Sequence, residues 1–342
     1  FNQLHEVPSM QRFALIGAGF IGSVHAHNLA AHPEIDFKLV YDIDPQRAAA
    51  LASRHGAKAA ATLDQIFGND GLDAVFIASS TDSHAQNLRL AADARLAALV
   101  EKPIDLDLET AKATVAYVER SGIKAMVNFN RRFDRAHAEV KELVHSGRIG
   151  DLALLQLTSR GPALPPLDYL KNSGGQFRDQ AVHFYDLARW ISGQDPLQVH
   201  AFGSALSAPE IAEFGDVDTS ISSLQFPSGA MAQIDCVRHT NYGYDERIEA
   251  LGSEAMAASE RQPSGHVSLF QGQHAQSHGL HGNWFDRVQP TYAASLGAFV
   301  QALDEDREVP VTLREGLKSQ AVAQAAVRSI ATGHSEMIDY SL

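Results

Sequence analysis

The sequence predicts an α/β chain of two domains: a doubly wound parallel sheet, then an α+β domain on a large, mostly antiparallel open sheet. Three observations carry this. From Phe13 to Asn128 short apolar runs alternate with helical stretches, as βαβ units do. At Gly150-Asp151 the pattern changes to longer alternating segments of the kind that bury one face of an antiparallel sheet. Finally, 342 residues with 45% apolar content exceed what one core usually serves. The expected boundaries are 10–129 and 130–342, with the last helix free to pack back on the first domain.

The elements follow in order. Residues Phe1 to Ser9 are polar and irregular, and are set apart as a loose arm or an expression remnant. Strands are expected at 13–16, 37–41, 74–78, 97–100 and 125–127. Between them, Asp44-Pro45 opens a helix that Gly56 closes, Thr62 with Gln65 reads as a capping box, and Gly122 ends the helix that starts near Asp107. A further helix runs over 134–146. The second domain offers strands at 152–158, 197–206, 221–226 and 230–237, with 247–251 and 267–271 continuing the series. Two long helices finish the chain, the last opened by Thr312 and Glu315 as a capping box. The stretch from Gly272 to Gly282 is the least structured, and there is no internal repeat.

Gly17-Ala18-Gly19-Phe20-Ile21-Gly22 follows the first strand and opens a helix. In that place the glycines give a tight turn, close backbone approach to a pyrophosphate and close helix packing, the Rossmann fingerprint, with helix-end amides facing the phosphates. Alone, such a pattern also arises from packing between a strand and a helix. Asp42 lies 20 residues beyond Gly22 at the end of the second strand, where a carboxylate accepts from both adenosine ribose hydroxyls and repels a 2′-phosphate. No Lys or Arg follows it directly, so NAD is expected over NADP; a helix cap is the other reading of Asp42, although Asp44 is the better cap. Ser79-Ser80-Thr81 at the next strand end suit a nicotinamide or ribose edge, and His84 and Glu101 complete the candidate cofactor set on this side.

Composition narrows the partners. A net charge of −13 argues against a nucleic acid or an anionic membrane and for a small molecule. No apolar stretch approaches a membrane span, and the single cysteine, Cys236, forms no internal disulfide, so the cytoplasm is the expected location.

Glu101-Lys102-Pro103 ends a parallel strand and sends Lys102 toward the crevice; a lysine at a strand tip is ordinarily just solvated, but the proline restricts this one and is a candidate cis residue. After the glycines at 174 and 175 a helix carries Asp179 and His183 four apart, hence on one face. Such a carboxylate fixes the imidazole tautomer and supports its protonated form, as an acid/base pair near neutral pH requires. A satisfied core histidine or a helix ion pair fits the same spacing, and a metal pair lacks a third ligand.

Together the glycine fingerprint with Asp42, Glu101-Lys102-Pro103, Phe129-Asn-Arg-Arg-Phe-Asp134 and Gly174-Gly175-x-x-x-Asp179-x-x-x-His183-x-x-Asp186 resemble the glucose-fructose oxidoreductase/inositol dehydrogenase/MocA-type family over essentially the whole chain. Arg178-Asp179-Gln180, Ala188-Arg189-Trp190 and Asn241-Tyr-Gly-Tyr-Asp245 are closest to its inositol dehydrogenase subgroup. The resemblance implies a nicotinamide enzyme that oxidises a ring carbinol of a cyclic polyol, myo- or scyllo-inositol, to a ketone. By carry-over His183 takes the hydroxyl proton, Asp179 supports it, and Lys102 stabilises the alkoxide or shares the proton transfer. Asn130, Arg131, Arg160, Gln180 and Tyr244 join Lys102, Asp179 and His183 at the substrate. Surface arginines and a core tyrosine are their plain reading. Trp284 either closes over the cofactor, from its own or a neighbouring subunit, or is an ordinary packing residue.

An aldose or carboxylated-sugar dehydrogenase on the same scaffold is the alternative, and a non-catalytic dinucleotide-binding regulator a remote one that retention of Lys102, Asp179 and His183 opposes. His266, His274, His278 and His281 crowd one loop, but glycines interrupt their spacing and hydride transfer needs no metal, so no metal is expected. An uncovered sheet face in the second domain predicts a homo-oligomer; the resemblance favours a tetramer.

Overall fold

The computed structural model describes residues 10–341, so the arm Phe1 to Ser9 lies outside the described residues. They divide into two compact units, 10–130 with 292–317, and 131–291 with 318–341.

In the first unit β1 (Gln11–Ile16), α1 (Phe20–Ala31), β2 (Ile35–Tyr41), α2 (Pro45–His55), β3 (Lys58–Ala59), α3 (Asp64–Phe67), β4 (Ala74–Ile77), α4 (His84–Asp93), β5 (Ala97–Val100), α5 (Leu108–Ser121) and β6 (Ala125–Val127) alternate. The strands form one parallel sheet in the order β3-β2-β1-β4-β5-β6. Its centre is apolar on both faces, with Phe13, Ala14, Leu15, Val75 and Phe76 fully buried, the burial that drives a parallel sheet between helix layers. The strand order reverses at β1 and β4, so the loops after their carboxyl ends flank the crevice of a doubly wound fold.

The caps form largely as expected. Asp44 accepts from the amides of Gln46 and Arg47, Gly56 closes α2 in the left-handed region, and Asp107 accepts from the Thr110 amide. The box at Thr62 and Gln65 is only half made. Because α3 begins one residue later, with Leu63 at its cap, the Gln65 side-chain oxygen accepts the Ala61 amide and the Gln65 amide donates to the Thr62 carbonyl, not to the hydroxyl. Residues 292–317, placed above in the second domain, fall in the first unit. The Val127 amide donates to the Val311 carbonyl at 3.1 Å, and Gly316 packs on Val127, which extends the edge beside β6.

The second unit holds α6 (Arg135–His145), β7 (Leu152–Arg160), α7 (Leu167–Asn172), a wide π turn (Phe177–Ala181), α8 (Val182–Ser192), β8 (Gln198–Ser204), β9 (Thr219–Gln225), β10 (Met231–Val237), β11 (Asp245–Gly252), β12 (Met256–Ser259), β13 (Ser268–Gln271) and β14 (His274–Ser277). Helices α9 (Trp284–Asp304) and α10 (Leu313–Thr332) and strand β15 (Glu336–Met337) complete the chain. Seven strands make one sheet in the order β12-β11-β7-β10-β9-β8-β15, antiparallel except between β7 and β10. Helix α8 lies on β7 and β10, with Phe184, Tyr185, Leu187 and Ile191 buried and the Tyr185 hydroxyl bonded to Ser222.

Two expectations change here. Residues 267–271 do not continue the large sheet, and 272–282 is not without structure: β13 and β14 pair as a separate hairpin. Every residue of these two strands is exposed, so neither has an apolar face to bury on the larger sheet. The two-residue strand β15 gave no sequence signal because its pairing with β8 is wholly non-local. Among the described residues no helix is long and apolar enough to cross a membrane.

Candidate active site

The glycine loop of the first unit is shaped by contacts that exclude side chains. Gly17 has φ +103°, and a Cβ there would lie 2.4 Å from the Ala78 carbonyl oxygen; one on Gly22 would lie 2.1 Å from the Gly17 oxygen. Gly19, by contrast, faces open space and begins α1 with no side-chain cap and no acidic residue in the first turn. A helix start without a side-chain cap beside an open glycine fits a dinucleotide pyrophosphate, so the residues present suit the cofactor. Phe20 is well exposed and Ile21 half-buried at this helix start. Asp42 accepts the Ala18 amide at 2.7 Å on one oxygen and the Asp44 amide at 2.9 Å on the other, which ties the glycine loop to the end of β2.

At the tip of β4, Ser79 shares a hydrogen bond with Ser83 at 2.6 Å and receives one from Asn87, while Ser80 and Thr81 lead into a short turn before α4. His84 is buried. Its Nδ1 is 2.8 Å from the Pro103 carbonyl and its Nε2 2.9 Å from that of Ser79, so the ring staples the tips of two strands. A neutral imidazole donates to one of these carbonyls at a time. The Lys102–Pro103 peptide is cis. Glu101 is bonded by His25 and Asn128, each at 2.7 Å, and Ser295 bonds Asn128 in turn. Burial alone raises the Glu101 carboxyl, but His25, Asn128 and the neighbouring Lys102 outweigh it and hold the group below the usual carboxylate range.

In the second unit the π turn carries Asp179 and α8 carries His183, which is nine-tenths buried. The expected plain α-helix is thus widened just where the carboxylate sits, a distortion frequent at functional sites. Asp179 accepts from the Tyr169 hydroxyl at 2.8 Å and lies 3.7 Å from Arg238. Gln180 donates to the Ser159 carbonyl and hydroxyl, both at 3.0 Å. Arg160 donates to Asp235 at 2.5 Å and reaches the Tyr242 hydroxyl, and that bond to Asp235 raises its affinity for its proton. Trp284 starts α9, partly exposed and edge-on to Phe285, and Asn130 is buried.

Arg131 and Tyr244 belong to a buried cluster. Arg131 donates to Glu246 at 3.2 Å and to the Tyr244 hydroxyl, which itself donates to Glu246 at 2.6 Å. Burial raises the Glu246 carboxyl, but Arg131, His137 and Arg287 more than offset it and keep it low. Burial depresses His137, which lies 3.7 Å from Glu246. Arg132 forks onto Asp186 at 2.7 and 2.6 Å, and Arg287 pairs with Asp134. Much of the Phe129–Asp134 motif and Asp186 therefore serve a buried ion-pair frame. Sequence reasoning missed Glu246, Asp216, Arg238 and His25, whose partners lie far along the chain, and Tyr169, which reaches Asp179 from a separate helix ten positions earlier. Among the described residues no three His, Cys, Asp or Glu side chains converge as metal ligands.

A family model described as an oxidoreductase family with an NAD-binding Rossmann fold matches residues 11–129. A second, the GFO/IDH/MocA C-terminal domain, matches residues 137–258. Inositol 2-dehydrogenase of Rhizobium meliloti is 38% identical over 94% of this chain and 97% of its own. A myo-inositol dehydrogenase structure from Corynebacterium glutamicum has a TM-score of 0.92 at 35% identity, over 96% of this chain and 99% of that one. The scyllo-inositol dehydrogenase structure from Lactobacillus casei with bound NAD(H) and scyllo-inositol has a TM-score of 0.89 at 25% identity, over 96% and 99%.

Proposed function

The chain belongs to the GFO/IDH/MocA family of oxidoreductases with an NAD-binding Rossmann fold, and from that premise we propose that it oxidises one ring carbinol of myo-inositol or scyllo-inositol to an inosose. The observation that carries the reading is the buried His183 four residues after Asp179, a carboxylate engaged by Tyr169 and Arg238. Bound NAD supplies the hydride acceptor. Gly17, Gly19, Phe20, Ile21 and Gly22 would offer backbone to its pyrophosphate, Asp42 its carboxylate to the adenosine ribose, and Ser79, Ser80, Thr81, Glu101 and Lys102 their groups to the remainder, with His84 fixing the strand tips; Trp284 we also assign to the cofactor.

As the carbinol carbon gives up its hydride, His183 takes the hydroxyl proton and the electron pair of the O–H bond closes the C=O double bond of the ketone. Asp179 stabilises the imidazolium, and the Lys102 ammonium stabilises negative charge on the oxygen. Arg160 and Gln180 supply the polar wall that selects a polyol, and the buried Asn130, Arg131 and Tyr244 support it from behind. The relatives named as inositol dehydrogenases support this substrate class.

We assign the working form to a homo-oligomer, a tetramer, joined through the outer face of the second sheet. Phe202, Ile221, Met231, Leu251 and Met256 from five strands stand exposed there, an apolar surface a monomer rarely leaves open. The buried, unpaired Cys236 fits a cytoplasmic setting. Initial rates with NAD and then NADP across myo-inositol, scyllo-inositol, D-chiro-inositol, glucose, galactose, xylose and glucuronate test the function. Preference for an inositol with NAD is expected; turnover of an aldose alone overturns the substrate.

A further inference from the structure

We propose that Arg238, clamped by Asp216, is a positioning residue that sets the charge on Asp179 and thereby the pH at which His183 accepts its proton. This rests on the acid/base reading above. The argument begins with Asp216, a buried carboxylate that no sequence pattern singled out. Its Oδ1 accepts the amides of Gln176 at 2.7 Å and Val217 at 2.8 Å, and its Oδ2 accepts Arg238 Nη1 at 2.5 Å. The first contact needs the close turn at Gly175, where φ is +86° and a Cβ would lie 3.1 Å from Asp216 Oδ1. One carboxylate therefore fixes both the entry to the π turn that carries Asp179 and the guanidinium that faces it.

Arg238 is 3% exposed. Its Nη2 makes no hydrogen bond and lies 3.7 Å from Asp179 Oδ2, too far for one. A desolvated guanidinium nitrogen left in that state is costly unless opposite charge compensates it, and Asp216 with Asp179 supplies that charge on two sides. The attraction of Arg238 to Asp179 is Coulombic, without a hydrogen bond between them. Tyr169 from α7 bonds its other oxygen, while Arg178, on the same turn, is directed to the Gly174 carbonyl and Gln324. The charged or titratable groups around Asp179 include Arg238, with Asp216 behind it, Tyr169, Arg178 turned aside, and His183 on its own helix.

Removing the Arg238 charge raises the proton affinity of Asp179 and His183 together, whereas removing the Asp216 charge lowers it. Arg238→Gln is expected to move the acid limb of kcat/KM for polyol oxidation upward by about one pH unit. Its rate falls about tenfold at neutral pH and recovers at alkaline pH. Asp216→Asn is expected to move the limb downward, and Arg238→Lys, which keeps the charge but loses the fork, to leave it in place. Near-ultraviolet circular dichroism and the thermal unfolding midpoint report that each variant is folded. A limb that stays put in Arg238→Gln, or shifts of the same sign in Arg238→Gln and Asp216→Asn, overturns the proposal, since a merely structural role does not produce opposite shifts. A His183→Ala variant that keeps the wild-type rate instead overturns the acid/base reading itself.

Discussion

The glycine edge of the first unit and the π turn of the second are built by different means. At the edge of β1 the working groups are backbone amides placed by residues a few positions apart, and Asp42 closes the loop across 24 positions. Around Asp179 the groups are side chains joined across the chain, with Asp216 and Arg238 coming from before β9 and after β10. The first arrangement is tolerant wherever a Cβ fits and brittle where one does not. The second depends on charges that compensate one another out of water, so its failures should appear in rate and pH response as well as in stability.

The sharpest test of that contrast is His183→Ala. Turnover is expected to fall ~10² to 10⁴-fold, with NAD affinity by fluorescence titration nearly intact, because the NAD-binding Rossmann domain lies in the other unit. A matching loss of NAD affinity breaks the division of labour.

Next in size is the buried cluster beneath Arg131. Glu246→Ala strands that guanidinium and is expected to cost about 3–5 kcal/mol in denaturant unfolding. The pH dependence follows from direction. The folded state holds Glu246 below its ordinary value, so its contribution is complete above that value and is lost as pH falls through the depressed folded value. His137 is also depressed by burial: below its ordinary value the unfolded chain binds a proton that the folded chain refuses. Both effects weaken the protein on acidification, His137 first from about pH 6.5 and Glu246 from about 4.5. Stability that is flat from pH 7 to 4 contradicts this account of the cluster.

The smallest effect belongs to the glycine edge. Asp42→Ala is expected to weaken NAD about 10- to 100-fold, the worth of hydrogen bonds to a charged group, and to narrow the preference over NADP. Since Asp42 also holds the Ala18 and Asp44 amides, the glycine loop should loosen as well, read as faster amide exchange at residues 18–22. Unchanged cofactor affinity removes Asp42 from the ribose.

Legibility divides along the same line. The parallel sheet, the caps at Asp44 and Asp107, and the tight glycine turn at Gly17 were readable because apolar period, turn chemistry and capping act over a few residues. The short box at Thr62 slipped by one position, a displacement that local signals do not resolve in a four-residue helix. The hairpin at 268–277 was misplaced because alternation alone does not say which sheet a strand joins. Arg131, Arg160 and Tyr244 were legible as polar residues near a site, but not as partners of Glu246 and Asp235, which folding brings to them.

By itself, then, the sequence determined the elements, the dinucleotide edge and the spacing of Asp179 and His183, since these depend on steric and hydrogen-bonding rules within one turn or strand. Only the tertiary structure decided which buried charges compensate one another: that Asp216 aims Arg238 at Asp179, that His25 holds Glu101, and that Glu246 gathers Arg131 and Tyr244. The physical reason is that a charge removed from water must find an opposite charge in space, and spatial neighbours are set by packing whole elements, not by order along the chain.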